Sequence, residues 1–482
     1  MPEVSVPGRS TALRKNALNV GFIIFFVISA ASPLSVLAGG FPIGIMLGNG
    51  AGTPALLLAM LALLLIFSVG YTSMARHVTN AGGFYAFVSR GLGGSAGGAA
   101  GMLAMMAYNI LQIGLYGMFG AVVSGTLAEV FGLQAPWWGC ALLAMASIAV
   151  LGYRNVDLSA RVLSLVVVAE YITMLVLDIS ILRAGGDSGI NLSAFSAQHV
   201  FSGTPSIGLL FCFAAFIGFE ATTIYGEEAK DPQRAIPLAT YASILLVGSF
   251  YALSIWCFVI GAGADKIVPQ LQALQDPTTF VYGLSDHYAG PRLTAVIRVL
   301  FMVSVYAGLL AFHNSAARYF YAIGRDGLLP AWLGTTHPTH QSPHMGSALQ
   351  SLIAAAVVMV FVLTGADPIL HLFAWFSNLA ALCLLLLMAM TSLATVRYFQ
   401  RHPAPALGRW RVHTLPWVSC VALLAVLGIA IAHFDVLTGA SKTLSYGLCA
   451  VIPASLLAGW QLAQRLRRTA PARFAALGSH KL

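Results

Sequence analysis

Three carboxylates in this sequence stand where a carboxylate is expensive. Glu220 lies in "FIGFEATTIYGEEAKDPQRAIPLAT", Phe216 to Thr240, with Gly218 two residues before it and Gly226 six after. Glu170 and Asp178 interrupt the apolar run "LSLVVVAEYITMLVLDISIL". A carboxylate removed from water favours its protonated form, so it can carry a proton, and it can accept backbone amides freed by a break in a helix. Uncharged polar groups add a second pattern. Tyr108, Gln112 and Tyr116 in "MAYNILQIGLYGMF" are spaced four apart and share one helical face. We read that stripe as lining for a pocket or gate.

The elements that position these residues follow from composition. The chain has 482 residues, of which 58% are hydrophobic and only 9% charged. So few charges could not cover a soluble domain of this size, and apolar runs of about 20 residues recur along the whole length, enough to cross a bilayer. In lipid a backbone must satisfy its own hydrogen bonds, and runs this long are helices rather than barrel strands. The expected fold is an all-α integral membrane protein with twelve transmembrane helices. The divisions are an N-terminal arm (1–16), a ten-helix core (17–400), two further helices (401–464) and a basic tail (465–482).

The formal charge of +9 is a loop property, not a nucleic-acid footprint. With the N-terminus inside, 20 of the 25 Lys and Arg residues fall on the inner side and 5 outside. This asymmetry places both termini in the cytoplasm, with the cell membrane as the expected location. The N-terminal segment continues as a span rather than a cleavable signal. The tail "RLRRTAPARF" reads as a positive anchor at the inner leaflet. The six cysteines fall singly in apolar runs and fill space. His337, His340 and His344 in "HPTHQSPH" read as a solvated loop rather than a zinc site. No cofactor is expected.

Two spans are interrupted. The first reads "VISAASPLSVLAGGFPIGIML", with Pro33, Gly39, Gly40 and Pro42, and the sixth carries Gly218 and Gly226 around Glu220. Proline removes a helical bond and clashes with the preceding turn. The interruptions lie five spans apart, as a five-plus-five inverted repeat with discontinuous helices 1 and 6 would place them. Half-helix ends near the midplane then offer partial charges to a substrate. The substrate-binding candidates are Ser32, Pro33 and Leu34 in the first break, Ala214, Ala215, Phe216 and Gly218 around the second, and Tyr108 and Gln112 on the third helix. Ala214 and Ala215 are small enough to leave room for a bulky or apolar substrate. The coupling and gating candidates are Glu170, Glu220, Tyr116 and Trp375, the last grouped with Ser377 and Asn378 on helix ten.

Three segments, in this order, resemble the amino acid–polyamine–organocation superfamily of permeases. They are "FIGFEATTIYGEEAKDPQRAIPLAT", "NAGGFYAFVSRGLG" (Asn80 to Gly93) and "NSAARYFYAIGRDGLLP" (Asn314 to Pro330). The resemblance implies alternating access around the breaks, with amino acids, polyamines or related amines as substrates. This chain reads "SAASPLSVLAGG" where many members have a short Gly-Ser/Ala-Gly-Ile-like break, so their substrate contacts do not transfer.

In some proton-coupled members a lysine stands at what looks like the Glu170 position. Glu170 has two readings, a proton carrier or a structural carboxylate that caps broken-helix amides. Asp178, nearer the outer end, is expected to face water. Ser304 has no hydroxyl neighbour, which argues against a sodium site and for protons or exchange. Lys230, Arg234, Arg318 and Arg325, with Glu227, Glu228 and Asp326, are expected to form loop salt bridges. A membrane-embedded enzyme would need a reactive cluster, and Asp286–His287 in "SDHYAG" has no nucleophile or metal pattern around it. A polyamine-specific importer is the nearer alternative to an amino acid permease. A nutrient receptor would be expected to carry a long signalling tail, and the tail here reads as short.

Overall fold

A computed structural model of the chain describes residues 20–78, 82–154, 160–187, 189–224, 229–404 and 406–478. The N-terminal arm, Glu227 and Glu228 lie outside the described residues. The described chain is built of helices and turns. Nine helices are long and apolar enough to cross a membrane, and four shorter apolar helices accompany them. Leu143, Leu165, Leu352 and Leu363 are each about 70–80% exposed, outward-facing positions that only lipid would tolerate in such number.

The chain enters as α1 (Val20–Ala31), breaks at Ser32, and resumes through a wide π-type turn, Ser35–Gly40, into α2 (Phe41–Leu47). Then come α3 (Thr53–Ala75), the short α4 (Phe84–Leu92), the 38-residue α5 (Gly94–Phe131), α6 (Trp137–Tyr153) and α7 (Ala160–Ala184). The next long element is again divided. Helix α8 (Pro205–Ala214) ends in turns, and one helical turn, Ala221–Ile224, follows. After α9 (Pro232–Ala262) come two short helices, α10 (Ile267–Ala273) and α11 (Phe280–Tyr288). The remaining spans are α12 (Pro291–Arg325), α13 (His344–Thr364), α14 (Ala374–Arg401), α15 (Leu415–Ala432) and the pair α16 (Lys442–Cys449) and α17 (Val451–Thr469), with α18 (Pro471–Ala475) at the tail. Among the α helices, α3, α12, α14 and α17 finish at one face beside Arg76, Arg325, Arg401 and Arg467, here termed the basic face.

Helix α5 is the axis of the packing, with α4, α6, α12, α14 and α17 against it. Small residues allow this. At the α5–α17 crossing a Cβ on Gly98 would sit 2.7 Å from the Gly459 carbonyl oxygen and 2.7 Å from the Ala463 Cβ. Two backbones that close leave no space for a side chain, the small-residue packing common between membrane helices. A second group forms where α3 packs on α9 and α1 contacts both α7 and α9.

The end of the tail folds back onto the helices, with Arg465, Arg467, Arg468 and Arg473 left exposed. Leu477 is buried, Phe474 stacks over Gly94, and the Gly478 amide donates to Asp326 Oδ2 at 3.2 Å. The same carboxylate oxygen accepts the Tyr85 hydroxyl at 2.7 Å. The apolar Phe474 and Leu477, which follow Arg473, explain the docking, because covering apolar side chains outweighs leaving them in water.

The three histidines of the 337–344 loop gather around Tyr153, with ring centroids 5.0, 6.1 and 6.0 Å away. His337 Nδ1 accepts the amides of Thr339 and His340, each at 3.2 Å. Removal from solvent, then the neighbouring His340 and His344, hold the His337 imidazole below its usual range.

Overpacking a helix crossing costs roughly 1–3 kcal/mol. We therefore expect Gly459→Val to lower the thermal unfolding temperature of the purified protein in detergent. An unchanged unfolding temperature would separate α5 from α17.

Candidate functional site

The two interruptions meet at one depth. Helix α1 rises from the basic face and stops at Ala31, where Ser32 takes a positive φ of 46°. Helix α8 descends from the opposite face and stops at Ala214, and Gly218 follows at φ 117°. That value is closed to a β-branched residue, so glycine is required by the backbone itself. Between the ends lies a cavity of about 60 Å³.

Each broken helix has its freed amides bound by a carboxylate. In the first, the Leu34 amide donates to Glu170 Oε2 at 3.2 Å. Ser304 of α12 donates its hydroxyl to the same oxygen at 3.1 Å and accepts the Ser35 amide at 3.3 Å. In the second, the Gly218 amide donates to Glu220 Oε2 at 2.9 Å, while the Tyr108 hydroxyl donates to Glu220 Oε1 at 2.6 Å. Both carboxylates are buried. Amides left open at these depths would each cost about 1–3 kcal/mol. The opening pattern of the sequence, a carboxylate beside glycines, thus has a geometric reason: the glycine makes the break and the carboxylate fills it.

A packed layer separates this region from the basic face. Tyr108 stacks on Tyr319 with centroids 5.1 Å apart. Tyr71 donates its hydroxyl to the Glu220 carbonyl at 2.7 Å and stacks with Phe67 at 5.2 Å. On the other side of the breaks the cavity walls include Phe41, Met118, Phe211 and Phe373, from helix halves nearer the opposite face.

The residues singled out from sequence divide into three groups. Ser32, Ala214 and Ala215 line the cavity, as does Ser377. Leu34, Gly218, Tyr108, Glu170 and Glu220 form the amide-capping network, with Pro33 and Phe216 buried beside it. Gln112, Tyr116 and Trp375 are elsewhere. Leu111 and Leu115 turn towards the cavity, so the face holding Gln112 and Tyr116 turns into the helix packing. Gln112 Nε2 donates to Tyr116 Oη and lies 3.1 Å from His313 Nδ1, and His313 Nε2 lies 2.6 Å from Ser347 Oγ. Trp375 packs on His371 at 4.8 Å. Asp178 does not face water. It is buried, and its Oδ2 accepts the Ser254 hydroxyl at 2.7 Å. Of the expected loop ion pairs, Arg325 lies 3.7 Å from Asp326.

His313 was not anticipated. Its signal was present, a lone ionisable ring inside the apolar part of "AFHNSAARYF", but nothing in the sequence pairs it with Gln112, two hundred residues away.

The model of the amino acid permease family matches residues 22–468. The chain belongs to the amino acid permease family. This permease is 22% identical, over 91% of its length and 96% of the relative's, to the low-affinity putrescine importer PlaP of Escherichia coli (strain K12). It is 26% identical, over 79% of its length and 78% of the relative's, to an uncharacterized transporter of Rhizobium meliloti (strain 1021). Among solved structures it resembles the Eremococcus coleocola manganese transporter in complex with an aromatic bis-isothiourea substituted compound, with a TM-score of 0.59 and 16% identity, covering 96% of this chain and all of that one. At that identity the likeness speaks to fold alone. The permease is an integral membrane secondary transporter, not an enzyme.

Replacing Glu220 by glutamine would turn an amide donor against either the Tyr108 hydroxyl or the Gly218 amide. We expect Glu220→Gln to lower transport turnover by roughly tenfold or more, about 1.4 kcal/mol, with the folded yield little changed. Transport at the native rate by this variant would leave the carboxylate a packing device only.

Proposed function

We propose that this permease imports amino acids or related small organic amines by proton-coupled alternating access, with Glu170 as the proton carrier. The observation that carries the reading is the position of Glu170. One carboxylate oxygen joins α7, the break in the first helix and, through Ser304, α12. Protonation would remove the charge that the Leu34 amide and Ser304 hydroxyl stabilise, and loosen the break from α12. Deprotonation would tighten it. A proton shifts an equilibrium between two access states only by its differential affinity for them. A difference of one pKa unit between states corresponds to about 1.4 kcal/mol, a tenfold bias.

The wider reading supports this role. The nine long helices are joined by three divided or shorter spans, built on α1 with α2, on α6, and on α8 with the turn after it. Taken so, the chain has twelve spans, and its breaks fall in helices 1 and 6 of two five-helix repeats. The basic face is then cytoplasmic by the positive-inside rule, in the cell membrane, with both termini there. Tyr71, Tyr108 and Tyr319 form the closed cytoplasmic gate, and the cavity belongs to an outward-facing state. Ser32, Ala214 and Ala215 contact the substrate. The core of residues 17–400 performs transport, and residues 401–464 add two helices around it.

The test uses purified permease in liposomes. Accumulation under an inward proton gradient and counterflow at equal pH are measured for Glu170→Gln. We expect accumulation to be lost and counterflow to persist. Native accumulation by the variant would remove Glu170 from the mechanism, and loss of both activities would make it a structural cap of the first helix.

A further inference from the structure

The polar character of the cavity is unusually one-sided. Sixteen residues line it, and only Ser32, Ser35 and Ser377 among them bear polar side chains. Its aromatic walls are Phe41, Phe211, Phe312 and Phe373. The two nearest acids are not among the lining residues. Glu220 is occupied by Tyr108 and Gly218, and Glu170 by Leu34 and Ser304.

The backbone is one-sided too. Two helices of ten or more residues end at the cavity, α1 at Ala31 and α8 at Ala214, both of which line it. Helix C-termini present carbonyl oxygens and partial negative charge. The amides at Leu34, Ser35 and Gly218 are already bound by the protein's own oxygens. The helix-end carbonyls are only half used: Ala31 accepts the Tyr251 hydroxyl, and Phe211, Phe213 and Ala214 accept the amides of Ala215, Phe216 and Ile217, which leaves each oxygen a second lone pair. One hydroxyl remains. Ser35 Oγ is buried at the cavity with no hydrogen-bond partner, and an oxygen so placed can accept a proton from an incoming ligand.

From this we infer that the site selects a molecule with one ammonium head and an apolar or aromatic body, and rejects dications. This deepens the transport reading above and rests on it. The head sits against the carbonyl ends of α1 and α8 and the Ser35 hydroxyl. The body fills the space among the four phenylalanines. A second ammonium would be stripped of water among apolar side chains with no carboxylate to meet it, and such a charge is strongly penalised. The relative that imports putrescine handles a diamine, so this site should differ from that one in preference. Apolar amino acids and simple apolar amines share the recognised chemistry, and the assay separates them.

The experiment is counterflow in liposomes of the native permease, preloaded in turn with phenylalanine, leucine, phenylethylamine, isoamylamine, putrescine and lysine, with competition among them. We expect at least one single-headed apolar compound to exchange with an apparent affinity roughly tenfold or more above those of putrescine and lysine. Exchange by the amines as well as the amino acids would make the carboxylate dispensable, and exchange by the amino acids alone would make it part of the substrate. Either result supports the inference. Equal or better exchange of putrescine or lysine overturns it while leaving the transport reading intact. Exchange of none of the six overturns both. The variant Ser377→Asp puts a carboxylate at a polar position of the wall, and we expect it to shift preference towards putrescine by about tenfold. If it does not accumulate in membranes, the native panel still decides.

Discussion

A helix broken in the middle of a membrane exposes amides that no water can reach. Everything at the centre of this protein answers that constraint. The breaks at Ser32 and Gly218 each release backbone groups, and each is closed by one buried carboxylate. The carboxylates in turn tie the breaks to rigid helices, Glu170 lying on α7 and bonding Ser304 of α12, and Glu220 bonding Tyr108 of α5. The breaks are therefore held in place, and under the proposed mechanism the oxygens that close the first one also bind the coupling proton.

The capping carboxylates offset the cost of the breaks. Unpaired amides would cost about 1–3 kcal/mol each, and hydrogen bonds to a charged partner contribute about 1.5–3 kcal/mol. The net gain per break is small, comparable with what one proton or one substrate molecule can supply. The packing elsewhere is less adjustable. Around α5 the helices approach to backbone contact, as at Gly98 and Gly459, and side-chain networks such as Gln112–His313–Ser347 lock them together. A small set of adjustable bonds set in a close-packed frame lets small energies select between discrete arrangements.

Much of this was legible in the sequence, for specific reasons. Span positions follow from apolar runs, which report directly on burial in lipid. The breaks follow from Pro33 and from glycines beside Glu220, because those residues act on the backbone locally. Pairings between distant helices did not follow. The four-residue spacing of Tyr108, Gln112 and Tyr116 shows that they share a face, but not where that face points, and Leu111 and Leu115 face the cavity instead. Asp178 reads as a water-facing residue from its place near a helix end, yet Ser254 of α9 covers it. His313 is invisible as a network member until α5 and α13 are brought to it. The tail reads as an anchor by its arginines, while Phe474 and Leu477 decide where it docks.

The proposed alternating access requires the layer of Tyr71, Tyr108 and Tyr319 to open towards the basic face, and we propose that it does so as the group around α3 and α9 moves against the frame around α5. The direct measurement is the distance between spin labels at Arg76 and Arg154, two exposed positions at the basic ends of α3 and α6, by pulsed dipolar spectroscopy in lipid. The native cysteines are first replaced. The account expects one short distance without substrate and a second, longer population when a transported substrate is added at acidic pH, with Glu170→Gln removing the dependence on pH. A single distance unchanged by substrate and pH, in protein that transports, would contradict it.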